Sequence, residues 1–157
     1  MRREHYRLPD GRHASLDAVR YRNVATVVPL LSDGRVVLLR QLRPIVGLEL
    51  WEVPAGTLEP GESPEACARR ELQEEAGYRA GRLAPLGEAF ADPGLTDERI
   101  HFFVARDLTP APRRPDPDER IRVVALPLPE AYRMIDRGEI LDAATLVALL
   151  RLARAGA

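Results

Sequence analysis

The segment Gly56–Tyr78, GTLEPGESPEACARRELQEEAGY, constrains this chain more than any other. Ser63 is a good helix N-cap, Pro64 fits the first helical position, and Gly77 suits a left-handed C-terminal turn, so one helix is expected between them. At about 100° per residue, Ala68, Leu72 and Ala76 form a narrow apolar stripe, while Glu71, Glu74 and Glu75 gather on one flank of it. Such a helix buries its stripe and carries three carboxylates at the edge of the buried face. Like charges at that spacing repel, and a helix selected for stability alone would have interleaved Arg among them. The cluster makes sense if something positive sits within it. Mg²⁺, a hard cation that takes oxygen ligands and bridges carboxylates to substrate phosphates, is the natural candidate. A solvated acidic face beside Arg69 and Arg70 is the competing account. The loop ahead of the helix, with Gly56 at a strand end and Gly61 after Pro60, favours the metal, because glycines let the backbone approach a metal–phosphate assembly closely.

Strand patterns surround this helix. HYRL and HASLDAVRY flank the hairpin dipeptide Asp10-Gly11, and NVATVVPLL and RVVLLRQL flank Ser32-Asp33-Gly34 in the same way. LELWEV leads into Pro54-Ala55-Gly56; RLAPLGEAF and RIHFFVARDL follow the helix, joined by the turn-rich Ala91-Asp92-Pro93-Gly94. A Pro- and acid-rich loop from Pro110 to Glu119 precedes a strand (IRVVAL) and two helical patterns, PEAYRMIDRG and DAATLVALLRLARA. Strands dominate, without the regular alternation of a doubly wound fold, so the expectation is an α+β fold with a mixed sheet.

Composition removes several function classes. With 157 residues, 45% hydrophobic and 30% charged, the chain is expected to form one globular domain over 1–157, which excludes a disordered or collagen-like chain. All 23 basic residues are Arg, and the net charge of −1 argues against a nucleic-acid partner. No apolar run approaches the ~20 residues of a membrane helix, and the N-terminus lacks a signal-peptide pattern, so no membrane association and a cytoplasmic location are expected. The single Cys67 reads as a small apolar residue inside the helix rather than a nucleophile.

The spacing Gly56, five residues, Glu62, seven residues, Arg70-Glu71-Leu72, one residue, Glu74-Glu75, one residue, Gly77 resembles the signature of the Nudix hydrolase family, with every fixed position filled. Tyr78 departs from the bulky aliphatic residue usual there. The resemblance implies an α-β-α sandwich and hydrolysis of a nucleoside diphosphate linked to another group. It implies two or more Mg²⁺ ions, with Mn²⁺ as a substitute. Glu71 and Glu75 match the principal metal ligands, Glu74 a further ligand, the carbonyl of Ala55 a main-chain ligand, and Arg70 with Glu62 the pair that orients the carboxylates.

Pro93, sixteen residues beyond Gly77, is similar to the marker of the ADP-ribose pyrophosphatase branch. So are PGLTDERIHFFVA, RQLRPIVGLELWEVPAG and AYRMIDRGEILDAATLVALL, although Ala91-Asp92 departs from the small polar residue usual beside the proline. Within this resemblance Arg43 and Glu59 match positions on the nucleotide side of the cleft, and Glu98 is a reserve ligand grouped with the substrate-binding residues. Arg22, Arg40 and Arg99 stand nearby without being distinguished from solvated strand ends. Trp51 either stacks on a base or packs in the core or at a subunit interface. Glu119 matches a metal-binding or base position, and Pro117 fills the position where a second acid is usual, so the catalytic base is Glu119 or Asp118, with Asp116 as an alternative to Asp118. The branch also implies a homodimer in which the strands of residues 1–22 exchange between subunits. The expected reaction is ADP-ribose to AMP and ribose 5-phosphate. The alternatives are GDP-mannose, FAD or NADH as substrate, or a nucleotide-sensing module that no longer turns over.

Overall fold

The computed structural model describes residues 1–114 and 120–156. β1 (Arg2–Arg7) and β2 (His13–Ala18) pair as the expected N-terminal hairpin. β3 (Val24–Pro29) and β4 (Arg35–Arg43) follow, then β5 (Leu48–Glu52), β6 (Ala55–Thr57) and α1 (Pro64–Glu71). A π-turn (Leu72–Ala76) continues α1, and β7 (Tyr78–Phe90), β8 (Arg99–Pro110), β9 (Ile121–Pro127), α2 (Leu128–Asp136) and α3 (Ala143–Arg154) complete the chain. One four-stranded sheet has the order β6-β3-β8-β7 and a three-stranded sheet the order β5-β4-β9. The β3–β8 pair is parallel and its neighbours are antiparallel, so the larger sheet is mixed.

One expectation needs correction here. The Ser32-Asp33-Gly34 turn forms, with the Leu31 amide on the Arg35 carbonyl at 2.8 Å, but β3 and β4 do not continue as a hairpin. Beyond the single Leu30–Val36 bridge the strands part and enter different sheets. The reason lies in their side chains. Both strands are apolar on both faces, so each needs cover above and below, which an isolated hairpin cannot supply.

That cover comes from helices on both sides. Ala25, Val27, Val37 and Leu39 pack with Cys67, Ala68, Leu72 and Ala76 under α1 and the π-turn. Val28, Val36, Leu38 and Phe102 pack with Ala131, Met134, Ala148, Leu149 and Leu152 from α2 and α3. Successive residues of β3 and β4 thus feed opposite cores, the period-two consequence of strand geometry, and the result is an α-β-α sandwich. Burying Leu72 completely contributes about 1.5–3 kcal/mol to holding the carboxylate helix on the sheet.

Candidate active site

The helix starts as its sequence dictates. Ser63 Oγ accepts from the Ala66 amide at 3.1 Å, with Pro64 in the first turn. It does not stay α-helical to Gly77, and the uniform 100° step fails over Leu72–Ala76. The wider π-turn, a form frequent at functional sites, advances each residue through a smaller angle. Glu71, at the end of α1, and Glu75, in the π-turn, lie at 8% and 3% exposure and Glu74 is half-buried, so the first two are not part of a solvated acidic face. Gly77, at φ +77°, then ends the helix in the left-handed region, with its amide on the Gln73 carbonyl at 3.1 Å.

Arg70 organises the carboxylates. Its Nη1 donates to Glu71 Oε1 at 2.6 Å and to Glu74 Oε2 at 3.0 Å. Its Nε and Nη2 fork onto the two Glu62 oxygens at 3.0 and 3.1 Å, and Nη2 also reaches the Thr57 carbonyl at 3.2 Å. This guanidinium holds the Glu62 carboxyl below the usual carboxylate range, while its partners push Arg70 further up. On the strand side, the Ala55 amide donates to Glu75 Oε2 at 2.9 Å. Gly56 is needed for close approach: a Cβ there would stand 1.7 Å from Glu71 Oε1 and 2.1 Å from its Cδ. Cys67 is fully buried in the same helix, and burial pushes its thiol up to about 12, as suits a packing residue.

These groups border a cleft of about 760 Å³ whose walls include Ala55, Gly56, Glu59, Arg70, Glu71, Glu74 and Glu75. Arg43 and Glu98 line it as well. Burial raises the Glu98 carboxyl above its ordinary value. Arg43 Nε donates to Glu52 Oε1 at 2.8 Å and its Nη2 to Glu52 Oε2 at 2.5 Å, which raises the guanidinium further. Of the arginines left undistinguished by sequence, Arg22 faces the cleft. Arg40 instead covers Trp51, 5.0 Å from the ring centroid, and Arg99 pairs with Glu88 at 2.6 Å. Trp51 itself packs, partly buried, against the α2–α3 core. Pro93 stands apart, in a hollow it shares with Tyr6, Leu16 and Phe90 beside the N-terminal hairpin. Glu119, Asp118, Asp116 and Pro117 lie outside the described residues.

Sequence reasoning passed over Glu52, Asp142 and Arg114, all of which line the cleft. Glu52 had a signal, a carboxylate inside the apolar run LELWEV, and it is 3% exposed. Asp142 also had one, since its side chain caps α3 by accepting from the Thr145 amide at 2.8 Å. Arg114 had none, because its amide reaches the Glu74 carbonyl from a segment far along the chain, beyond β7 and β8.

The donors suit a hard divalent cation: carboxylate oxygens, a backbone carbonyl at Ala55, and a strand pressed so close that only glycine fits at position 56. Among the described residues no three carboxylate, His or Cys side chains form a metal cage by themselves. That is compatible with Mg²⁺, which is usually held by one or two carboxylates together with water and substrate phosphate.

The NUDIX domain model matches residues 20–147. The chain belongs to the Nudix family. It is 33% identical over 148 residues to an ADP-ribose pyrophosphatase of Bacillus subtilis (strain 168), covering 93% of this chain and 80% of that protein. It is 31% identical over 153 residues to an ADP-ribose pyrophosphatase of Mycobacterium tuberculosis, covering 96% of this chain and 74% of that one. A GDP-mannose pyrophosphatase of Klebsiella pneumoniae is 38% identical over 131 residues, 77% of this chain and 65% of the relative. A solved structure of an ADP compounds hydrolase superposes with a TM-score of 0.85 at 24% identity, covering 97% of this chain and 83% of that chain, which supports the fold. This Nudix chain is a pyrophosphohydrolase of nucleoside diphosphate derivatives. No helix among the described residues is long and apolar enough to cross a membrane.

Proposed function

We propose that this Nudix enzyme hydrolyses ADP-ribose to AMP and ribose 5-phosphate with a divalent cation, Mg²⁺ or Mn²⁺, as a homodimer. The observation that carries the reading is the cleft in which Arg70 gathers Glu62, Glu71 and Glu74 while β6 holds Glu75. Similarity along nearly the whole chain to two ADP-ribose pyrophosphatases supports the substrate.

Glu71, Glu75, Glu74 and the Ala55 carbonyl would hold the metal, in two or more sites. A bound divalent cation neutralises the diphosphate and lowers the pKa of a bound water. Arg70 keeps the carboxylates oriented, an outer-shell task that metal sites depend on. Arg43, with Arg22 and Arg114 on the same walls, offers fork geometry to phosphate oxygens, and Glu59 and Glu98 complete the substrate side. Glu119 or Asp118 takes the proton of the attacking water as its oxygen bonds to phosphorus and the bridging P–O bond breaks, the pair leaving with the released phosphate.

The GDP-mannose pyrophosphatase match, at higher identity over less of the chain, favours GDP-mannose as the second reading. Turnover of ADP-ribose, GDP-mannose, FAD and NADH with Mg²⁺, products resolved by chromatography, tests both. A clearly superior kcat/KM for ADP-ribose, yielding AMP and ribose 5-phosphate, is expected; preference for another substrate overturns the assignment. Glu119→Gln is expected to lower turnover more than Asp118→Asn, and the reverse ranking moves the base to Asp118.

A further inference from the structure

The end of the carboxylate helix is closed by a segment distant in sequence. A helix leaves its last carbonyls without partners inside the helix, and here those carbonyls belong to or adjoin the acidic residues. The Glu74 carbonyl accepts from the Arg114 amide at 3.0 Å, the Glu75 carbonyl from Arg113 Nε at 2.7 Å, and the Gly77 carbonyl from the Ala111 amide at 2.8 Å. The Arg113 arm crosses directly over Gly77, where an added Cβ would meet Arg113 Cγ at 2.7 Å. Gly77 therefore serves both the left-handed turn and the passage of this side chain. From there Arg113 Nη2 reaches the Ile121 carbonyl at 3.4 Å, at the start of β9.

We infer that Arg113 is a positioning residue for the metal-side carboxylates. It holds Glu75 by its backbone while the Ala55 amide holds the carboxylate of the same residue, so Glu75 is fixed at both ends. The charge suits the place. A helix C-terminus carries partial negative charge, and this one adds Glu71, Glu74 and Glu75; a guanidinium there offsets both. Arginine has the further advantage of a planar fork, which spans two carbonyls on different elements as a lysine ammonium does not. Loss of that hold lets the π-turn relax toward ordinary helical pitch and rotates Glu74 and Glu75 relative to β6. The bonds of Arg113 go to the backbone carbonyls of Glu75 and Ile121, so its effect passes through the Glu75 backbone.

The inference rests on the metal reading of the cleft, and the test separates the two. Mn²⁺ binding is followed by loss of the free-ion electron paramagnetic resonance signal, with no substrate present, for the wild type, Arg113→Gln, Arg113→Lys and Arg79→Gln. Arg79 is the control: it stands beside the same helix end with its Nε on Gln73 Oε1 at 2.9 Å, a bond to a neutral side chain rather than to the carbonyl of a carboxylate residue. Arg113→Gln is expected to weaken Mn²⁺ binding roughly 10- to 100-fold, the range for outer-shell partners of metal ligands. In turnover it lowers kcat and raises the metal concentration needed, with substrate KM unchanged. Arg113→Lys recovers part of the loss and is the variant read if Arg113→Gln fails to fold. Arg79→Gln binds as the wild type does. Equal Mn²⁺ binding by the Arg113 variants and the wild type overturns the inference alone, as does equal weakening in Arg79→Gln. A wild type that binds no Mn²⁺, either alone or with the product AMP present, overturns the metal reading and the inference together.

Discussion

Two arginines in this molecule each gather several carboxylates, Arg70 from its own stretch of chain and Arg20 from distant ones, and their surroundings make them different devices. Arg70 bonds Glu62, Glu71 and Glu74 with its side chain 25% exposed, on a helix whose opposite face is packed against the sheet. Arg20 bonds Glu4 of the hairpin and Asp97 at 2.9 Å, with its side chain 53% exposed. Screening by water and salt leaves an exposed pair little net strength, whereas partial burial strengthens a pair and raises the cost of breaking it. The same chemistry therefore fixes a site in one region and loosely tethers a hairpin in the other.

The comparison is broken most forcefully at the Arg70 cluster. Glu75→Gln removes a charge from the cleft but keeps the shape, and with it the acceptor for the Ala55 amide. Losing several kcal/mol of metal-assisted stabilisation corresponds to about a thousand-fold or more in kcat. Steady-state kinetics beside a thermal melt checks this; near-normal kcat sinks the metal role of Glu75. Gly56→Ala comes next. Its methyl cannot share space with the Glu71 carboxylate, so β6 or Glu71 must move by an ångström or more, a displacement worth about a hundred-fold in rate. Unchanged turnover would mean the close approach has no catalytic consequence. Arg70→Lys sharpens the same contrast, because it keeps the charge and loses the fork. A ten- to hundred-fold fall in metal affinity is expected, measured by metal titration of activity and of Mn²⁺ binding, and full retention would reduce Arg70 to a point charge.

Much of the Arg70 cluster was legible in sequence because it is local. Glu62, Arg70, Glu71, Glu74 and Glu75 lie within one capped helix and its preceding turn, so spacing alone brings them together. Cys67 was legible only in part: its small apolar side chain suits a helix interior, but at about 100° per residue it points away from Ala68, and its full burial shows only in the structure. Geometry that depends on departure from the ideal helix was not legible. No propensity announces the π-turn over Leu72–Ala76, which sinks Glu75 to 3% exposure. Nor does periodicity reveal that β3 and β4 part company after Gly34, since a two-faced apolar strand fits a hairpin pattern until its covering helices are placed. Long-range closure was hidden for a related reason. Arg113 and Arg114 reach the helix end only because β7 and β8 pair along their length and return the chain to Gly77.

The smallest expected effect lies at Arg20, and it has a pH signature. Arg20 and the Tyr6 hydroxyl both donate to the Glu4 carboxylate, holding its pKa at about 2 against an ordinary 4.5. A carboxylate whose folded value is depressed contributes fully above its ordinary value and loses that contribution as pH falls through the folded one. The tether should therefore hold at pH 5, weaken below the ordinary carboxylate range, and be lost near pH 2. Amide-exchange protection factors of β1 and β2, set against those of β3 and β4, read this directly: the hairpin should open first as pH falls, while the sandwich strands keep their protection. Arg20→Ala should remove the tether at every pH, so that the hairpin is already loosened at pH 5, and added salt should mimic part of the change in the wild type. The global melting temperature should barely respond, because no strand of the sandwich pairs with the hairpin. Hairpin protection that is indifferent to pH between 5 and 2 would show that backbone contact with the 95–97 turn holds it instead, the Val19 amide on the Leu95 carbonyl at 2.8 Å.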